Sequence, residues 1–215
     1  METPLQALDR LRAEQVISSL KARNMPGFFA KDNQEAISTV LGIIPPGSLV
    51  GFGGSMTLVE TGLLDALRAG NLRLLDRFQP DLSDKELADL RIKALTCDVF
   101  LTSANAITLS GKIVCVDGQG SRVAPIIFGP KKVIVVAGVN KIVTDLPQAF
   151  DRLRSIAGPA NCIRLSAKTP CAQDGLCQDE ACTPPERLCN AFIILEGQRQ
   201  QQRVNVVLIG QKLGF

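Results

Sequence analysis

Short apolar, β-branched runs recur along the chain with helical stretches between them, and this alternation limits the fold more than any other feature. SLVGFG, LRLLD, DVFLTS, GKIVCVD, KKVIVVAG, AFIILEG and RVNVVLIG read as strands, because branched and apolar side chains pack well on a pleated, buried surface. Between them, Thr57 to Arg68 carries a helical Leu58, Leu63, Leu64, Leu67 pattern, and Ser83 with Glu86 forms a capping box for a helix reaching Thr96. Further helices are predicted at Ser121 to Phe128, Leu146 to Ile156 and Pro159 to Ala167. Strands alternating with helices predict an α/β chain, a mostly parallel sheet covered on both faces. Upstream, Thr3 and Pro4 open a helix with the stripe Leu5, Leu8, Leu11, Val16 and Leu20. A second helix runs from Asn33 to Ile43 and is stopped by Pro45-Pro46-Gly47.

At 215 residues the chain fits one domain whose core needs no disulfides. A net charge of +3 is too small to argue for nucleic acid or a membrane surface. The amphipathic, charged N-terminus lacks the apolar region of a signal peptide, and no apolar stretch reaches the ~18 residues that span a bilayer. The expected compartment is therefore the cytoplasm, with no membrane insertion. The chain has no His, Trp or Tyr, which removes histidine catalysis, phenolic proton transfer and most base-stacking platforms.

Against that background the segment TPCAQDGLCQDEACTPPERLCN is unusual, since it holds Cys171, Cys177, Cys182 and Cys189 in a C-x5-C-x4-C-x6-C run. In a reducing compartment disulfides are the weaker account. Four thiolates on a short loop suit a soft metal centre. Structural zinc usually shows C-x2-C knuckles, whereas clusters tolerate irregular spacing, so an iron–sulfur cluster of the 4Fe–4S type is expected ahead of zinc. Cys97, Cys115 and Cys162 lie in or beside apolar segments and read as small buried hydrophobes.

A second candidate site lies where strands give way to loops. GFGGSMT joins a strand to a helix, so Gly53, Gly54, Ser55 and Thr57 could receive a phosphate or carboxylate through backbone donors, hydroxyls and the helix N-terminus. Thr102, Ser103 and Asn105 follow another strand, as do Asp117, Gln119, Ser121 and Arg122, and then Asn140 and Lys141. In a parallel sheet such ends line one crevice. Asp117 and Lys141 are the acid/base candidates, with Arg122 or Lys141 as countercharge to a small anionic metabolite.

FGGSMTLVETGLLDAL, TSANAITLSGKIVCVDGQGSRVAPIIFGPKKVIVVAGVNKIV and the closing CNAFIILEGQ with NVVLIGQKLGF resemble the LUD-domain family, the lactate-utilisation protein C-like proteins. The resemblance covers about residues 5–215. It implies a single domain over 1–215, with N-terminal helices at 3–43 and a cysteine-rich loop at 169–190. It also implies the Rossmann-like three-layer architecture shared with ribose-5-phosphate isomerase and coenzyme A transferases. Short members resemble this chain in the cysteine segment but hold the second and third cysteines closer, so Glu180-Ala181 looks like an insertion. Sugar-phosphate isomerases of this fold use an acidic loop where this chain reads TSANAIT, which disfavours isomerase chemistry. Coenzyme A transferases need a glutamate nucleophile, for which Glu60 is the one candidate near the glycine loop.

The resemblance further implies partnership with iron–sulfur protein subunits that oxidise lactate. Two functions stay open on the sequence. One is an accessory subunit of lactate or related hydroxy-acid oxidation, carrying a cysteine-ligated centre and an anion pocket. The other is a stand-alone enzyme or sensor for a small phosphorylated or carboxylated metabolite, with structural zinc.

Overall fold

The computed structural model describes residues 2–215. Helix α1 (Pro4–Lys21) is opened by a Thr3 capping box with Gln6 and leads to β1 (Gly27–Ala30), α2 (Asn33–Ile43) and β2 (Leu49–Phe52). Then come α3 (Met56–Glu60), α4 (Leu63–Ala69), β3 (Arg73–Leu75), α5 (Asp84–Lys93) and β4 (Val99–Thr102). The chain continues through β5 (Ala106–Thr108), β6 (Ile113–Asp117), α6 (Val123–Ile127), β7 (Lys132–Gly138) and β8 (Ile142–Val143). It closes with α7 (Leu146–Arg152), α8 (Gly158–Arg164), α9 (Pro170–Asp174), β9 (Ala191–Leu195) and β10 (Val204–Ile209).

The parallel sheet expected from the alternation is present as six strands in the order β1-β10-β7-β4-β2-β3, all pairs parallel. Its central strands are mostly apolar because both faces are covered, with Asn205 the polar residue inside β10. Val133, Val135, Ala137, Val204, Val206 and Leu208 face one core. The alternating Ile134, Val136, Val207 and Ile209 face the other, under α2 to α4. Helices on both sides of this sheet make the three-layer, Rossmann-like arrangement.

Not every predicted strand joins that sheet. GKIVCVD and AFIILEG form β6 and β9 of a separate mixed sheet, ordered β8-β5-β6-β9, in which β6 is antiparallel to both neighbours. Strands β1, β5 and β8 lie outside the runs read as strands. The helix expected over Thr57 to Arg68 is two helices, broken at Gly62, whose φ of +75° turns the chain out of helical geometry. Conversely, the two helices expected after Leu146 form one rod, because a π-helical turn at Leu153–Ala157 carries α7 into α8 across Pro159. The leucine stripe of α1 is buried only at its far end, through Val16 and Leu20 with Ala13, while Leu5, Leu8 and Leu11 face solvent. Among the described residues no helix is long and apolar enough to cross a membrane.

One buried cation holds an edge of the core together. Arg203, just before β10, is 6% exposed and donates to the carbonyls of Pro130 (3.1 Å), Ile126 (2.8 Å) and Pro125 (2.9 Å). Truncation strands three carbonyls, so Arg203→Met should lower stability by roughly 2–4 kcal/mol. Urea unfolding with an unchanged m-value would read that loss, and a shift below ~0.5 kcal/mol would show that water replaces the guanidinium.

Candidate functional site

Strand β7 ends at Gly138, where a Cβ would stand 2.5 Å from the carbonyl oxygen of Gln211, so the chain passes under its neighbour only as glycine. One short turn later Lys141 points back beneath the sheet edge. Its side chain is nine-tenths buried, and Nζ donates to Thr57 Oγ1 (2.8 Å) and Ser103 Oγ (3.0 Å), while Ser103 Oγ lies 3.3 Å from Thr57 Oγ1. Burial pushes the ammonium down to about 7, helped by repulsion from Arg152 and Arg122. An amine in that range is partly neutral near neutral pH and can accept a proton or return one.

Residues 213–215 seal the back of this centre. Asn140 donates to the Gly214 carbonyl (3.2 Å) and accepts from the Leu213 N–H (3.1 Å), and Glu60 accepts from the Gly214 N–H (2.6 Å). Asn140 and Glu60 therefore clamp a strap of chain and do not line the pocket. Glu60 is not placed as a nucleophile.

Lys141 and Ser103 open onto a cavity of about 260 Å³ that also takes in Gly54, Ser55, Asn105, Gln119 and Ser121. The predicted crevice therefore forms, although β6 belongs to the second sheet. Two of its charged residues have other work. Asp117 accepts from the backbone N–H groups of Gln119 (3.0 Å), Gly120 (2.9 Å) and Arg122 (3.0 Å), which shapes the loop and leaves little of the carboxylate to act as a base. Arg122 donates to the carbonyls of Ser103 (2.7 Å) and Val116 (2.5 Å) and to Asn105 Oδ1 (2.6 Å), so it ties loops together and is not a free countercharge. Thr102 is fully buried, with its hydroxyl turned to the Ser103 carbonyl. Thr57 reaches the site only through Lys141 and Ser103.

The glycine loop divides its labour. Gly53 donates to Leu101 O (2.8 Å), and a Cβ on it would lie 2.9 Å from Arg122 Cγ, so this glycine serves packing. Gly54 faces the cavity beside Arg77, and among the described residues the N–H groups of Gly54 and Ser55 have no partner in the chain. Ser55 caps α3 by accepting from Leu58 N–H (3.4 Å). That helix has five residues, so its dipole adds little and the free N–H groups are the donors that matter. The sequence reading missed Arg77, Arg91 and Arg164, which also line the cavity. They come from a loop and two helix ends, where arginine reads as a solvated or helix-ending charge.

The four cysteines of the run line one small apolar cavity of about 30 Å³, and Cys162 from α8 lines it with them. Cys162 was expected to be an inert core residue. Its thiol lies within hydrogen-bond reach of Cys171, and Thr169 Oγ1 is 3.4 Å from Cys171 Sγ. Burial pushes the Cys162 thiol up to about 11 and the Cys189 thiol up to about 12, and neighbouring cysteines add to both. Such thiols ionise only if a cation joins them. Arg187 staples the loop by donating to the carbonyls of Cys189 (2.9 Å), Asp179 (2.9 Å) and Cys182 (3.0 Å). Five thiols in one lining fit a soft metal in their chemistry, although Asp179, Arg154 and Arg187 share that lining. In its geometry, no group of three or more His, Cys, Asp or Glu among the described residues stands ready to hold one, and Cys177 is exposed.

With this geometry in place, a family profile described as the LUD domain matches residues 13–209. The chain belongs to the LUD-domain family. The family is linked broadly to lactate utilisation. No curated protein matches the chain. Among solved structures, a DUF162 family protein from Deinococcus radiodurans is similar with a TM-score of 0.50 at 12% identity, covering 95% of this chain and 98% of that one. At that identity the likeness is one of fold. A second, eIF2B delta from Chaetomium thermophilum, reaches a TM-score of 0.33 at 19% identity over 66% of this chain and 54% of that chain, too distant to carry an argument.

The buried lysine of this LUD domain makes a prediction about stability. Its folded value, about 7, lies below the ordinary 10.5, so between those limits the unfolded chain binds more protons and stability rises with pH. The wild type minus Lys141→Met difference should therefore climb from pH 7 to 8.5 with a slope approaching ~1.4 kcal/mol per pH unit. The cysteines, shared by both proteins, cancel in the difference. A flat difference in urea titrations would mean that the lysine is charged in the fold.

Proposed function

We propose that this LUD domain holds a small carboxylate at Lys141 beside a cysteine-ligated centre, and serves as an accessory subunit in the oxidation of lactate or a related hydroxy acid. The observation that carries the reading is a shared wall. Val116, Gly158, Leu188 and Cys189 line both the cation-rich cavity and the cysteine cavity. A centre bound by the thiols would sit one side chain from a bound acid.

The chain's own residues supply binding and proton handling. The free N–H groups of Gly54 and Ser55 suit a carboxylate, and Ser103 with Thr57 holds the Lys141 amine where it can take a hydroxyl proton. Cys171, Cys177, Cys182 and Cys189 would hold the centre, with Cys177 drawn inward from its exposed position. A 4Fe–4S cluster there would supply a one-electron relay, so both electrons of the hydroxy acid would have to pass to partner carriers, whereas zinc would supply only structure. Nothing else in the chain offers an oxidant, since it has no dinucleotide fingerprint, so partners that carry electrons onward are part of the reading.

Protein made with iron and kept from oxygen should be brown and contain iron, and Cys→Ser changes at the four positions should remove the colour. Freely titrating thiols in oxygen-protected protein lacking both iron and zinc would sink the centre. Zinc without iron would favour the stand-alone enzyme or sensor. The pure chain should reduce an artificial acceptor with lactate little or not at all until iron–sulfur partners are added. Robust turnover by the lone chain would move it to the enzyme class.

A further inference from the structure

The cavity at Lys141 carries more positive charge than a single carboxylate requires. Arg77, Arg91, Arg122, Arg164 and Lys141 line it against Asp117 as the one acidic side chain. Asp117 is engaged by backbone N–H groups and Arg122 by carbonyls, which leaves three arginines without a carboxylate to neutralise them. Arg77 has no hydrogen-bond partner among the described residues. Arg91 donates one NH to Gln119 (3.1 Å) while its Nε is buried with no partner at all. Arg164 holds only Asn161 Oδ1 (2.8 Å).

These arginines form their own group. Arg77 is influenced by Arg91, Arg164 and Asp117, whereas Lys141 is influenced by Arg152 and Arg122 and, in the opposite sense, by Cys115 and Glu60. Burial together with this mutual repulsion lowers Arg77 from its ordinary value, a destabilising arrangement that an anion would relieve. The cavity has two basic regions. At about 260 Å³ it approaches the roughly 300 Å³ at which pockets for drug-sized ligands begin, more room than a three-carbon acid needs. Guanidinium forks pair with phosphate oxygens two at a time, which a monoanionic carboxylate cannot match from three sides.

We propose that Arg77, Arg91 and Arg164 form a phosphate subsite, so that among the hydroxy acids named above this pocket favours a phosphorylated one over lactate itself, with its phosphate among the guanidiniums and its carboxylate at Lys141. This deepens the reading of the pocket above and rests on it for the carboxylate end alone. Gly54 lies between the two regions, 3.6 Å from the Arg77 guanidinium at its Cβ position, and its free N–H can serve either end.

Calorimetry on the full chain with 3-phosphoglycerate and glycerate as matched probes tests this. Wild type should bind the phosphorylated probe at least about tenfold more tightly, and Arg77→Gln should reduce that ratio to below about threefold. Arg77 has no structural partner, so this variant should fold; Arg91→Gln is the second. Inorganic phosphate should compete with 3-phosphoglycerate and leave glycerate binding unaffected. Equal affinities in wild type, a ratio that survives both substitutions, or inorganic phosphate and glycerate binding side by side with no gain for the linked probe would overturn the subsite. Lys141→Met separates the two readings. If it leaves glycerate binding untouched, the carboxylate assignment fails while the phosphate ratio still stands or falls on the arginines.

Discussion

The site depends on the guanidinium of Arg122. Three segments meet there that the chain brings from different places: the loop after β2, the loop after β4 and the end of β6. Arg122 donates to backbone or amide oxygen on Ser103, Asn105 and Val116, while its stem fills the space that Gly53 leaves empty. Guanidinium presents five donors in a fixed plane, so one residue can set the separation of several carbonyls at once. A lysine would supply a point charge and lose the geometry. Asp117 completes the arrangement by gathering the N–H groups of the loop that carries Arg122. Asp117, expected as an acid, and Arg122, expected as a countercharge, together make a frame.

Within that frame Lys141 is the polar group left in an expensive position. Its burial is tolerated because two hydroxyls accept from it and because the amine can shed its proton. The protein thus keeps a near-neutral base without a histidine, and the composition excludes histidine everywhere. The strap at residues 213–214 is tied to Thr57 and Asn140 and passes close to the amine, where a Cβ on Gly214 would stand 3.3 Å from Nζ.

The architecture was legible because the strands of a buried parallel sheet are rich in apolar, β-branched residues, and KKVIVVAG and RVNVVLIG, which became β7 and β10 at its centre, are the longest such runs. The second sheet was not legible. β6 and β9 carry the same residue types, and partner choice rests on tertiary contacts that composition does not encode. At the site, small polar residues after strands did mark the cavity at Ser103, Asn105, Gln119, Ser121 and Lys141. Their number said nothing of which would frame it and which would face it. Arg77, Arg91 and Arg164 left no local signature, since a helix-end arginine reads the same whether it meets solvent or a pocket. Cys162 was hidden for the opposite reason. Its apolar neighbours Ile163 and Leu165 suggested a core face, yet both are exposed while the thiol turns to the other cysteines.

The partition between the two cavities is thin. Gly158, placed by the π turn, is tight there: a Cβ would meet the Leu153 carbonyl oxygen at 2.9 Å and Cys189 Sγ at 3.5 Å. Whatever stiffens this wall from one side therefore stiffens it for the other. Binding free energies coupled through a common element are reciprocal. If both cavities take ligands as proposed, whatever factor one ligand imposes on the affinity of the other, in either direction, is returned in full.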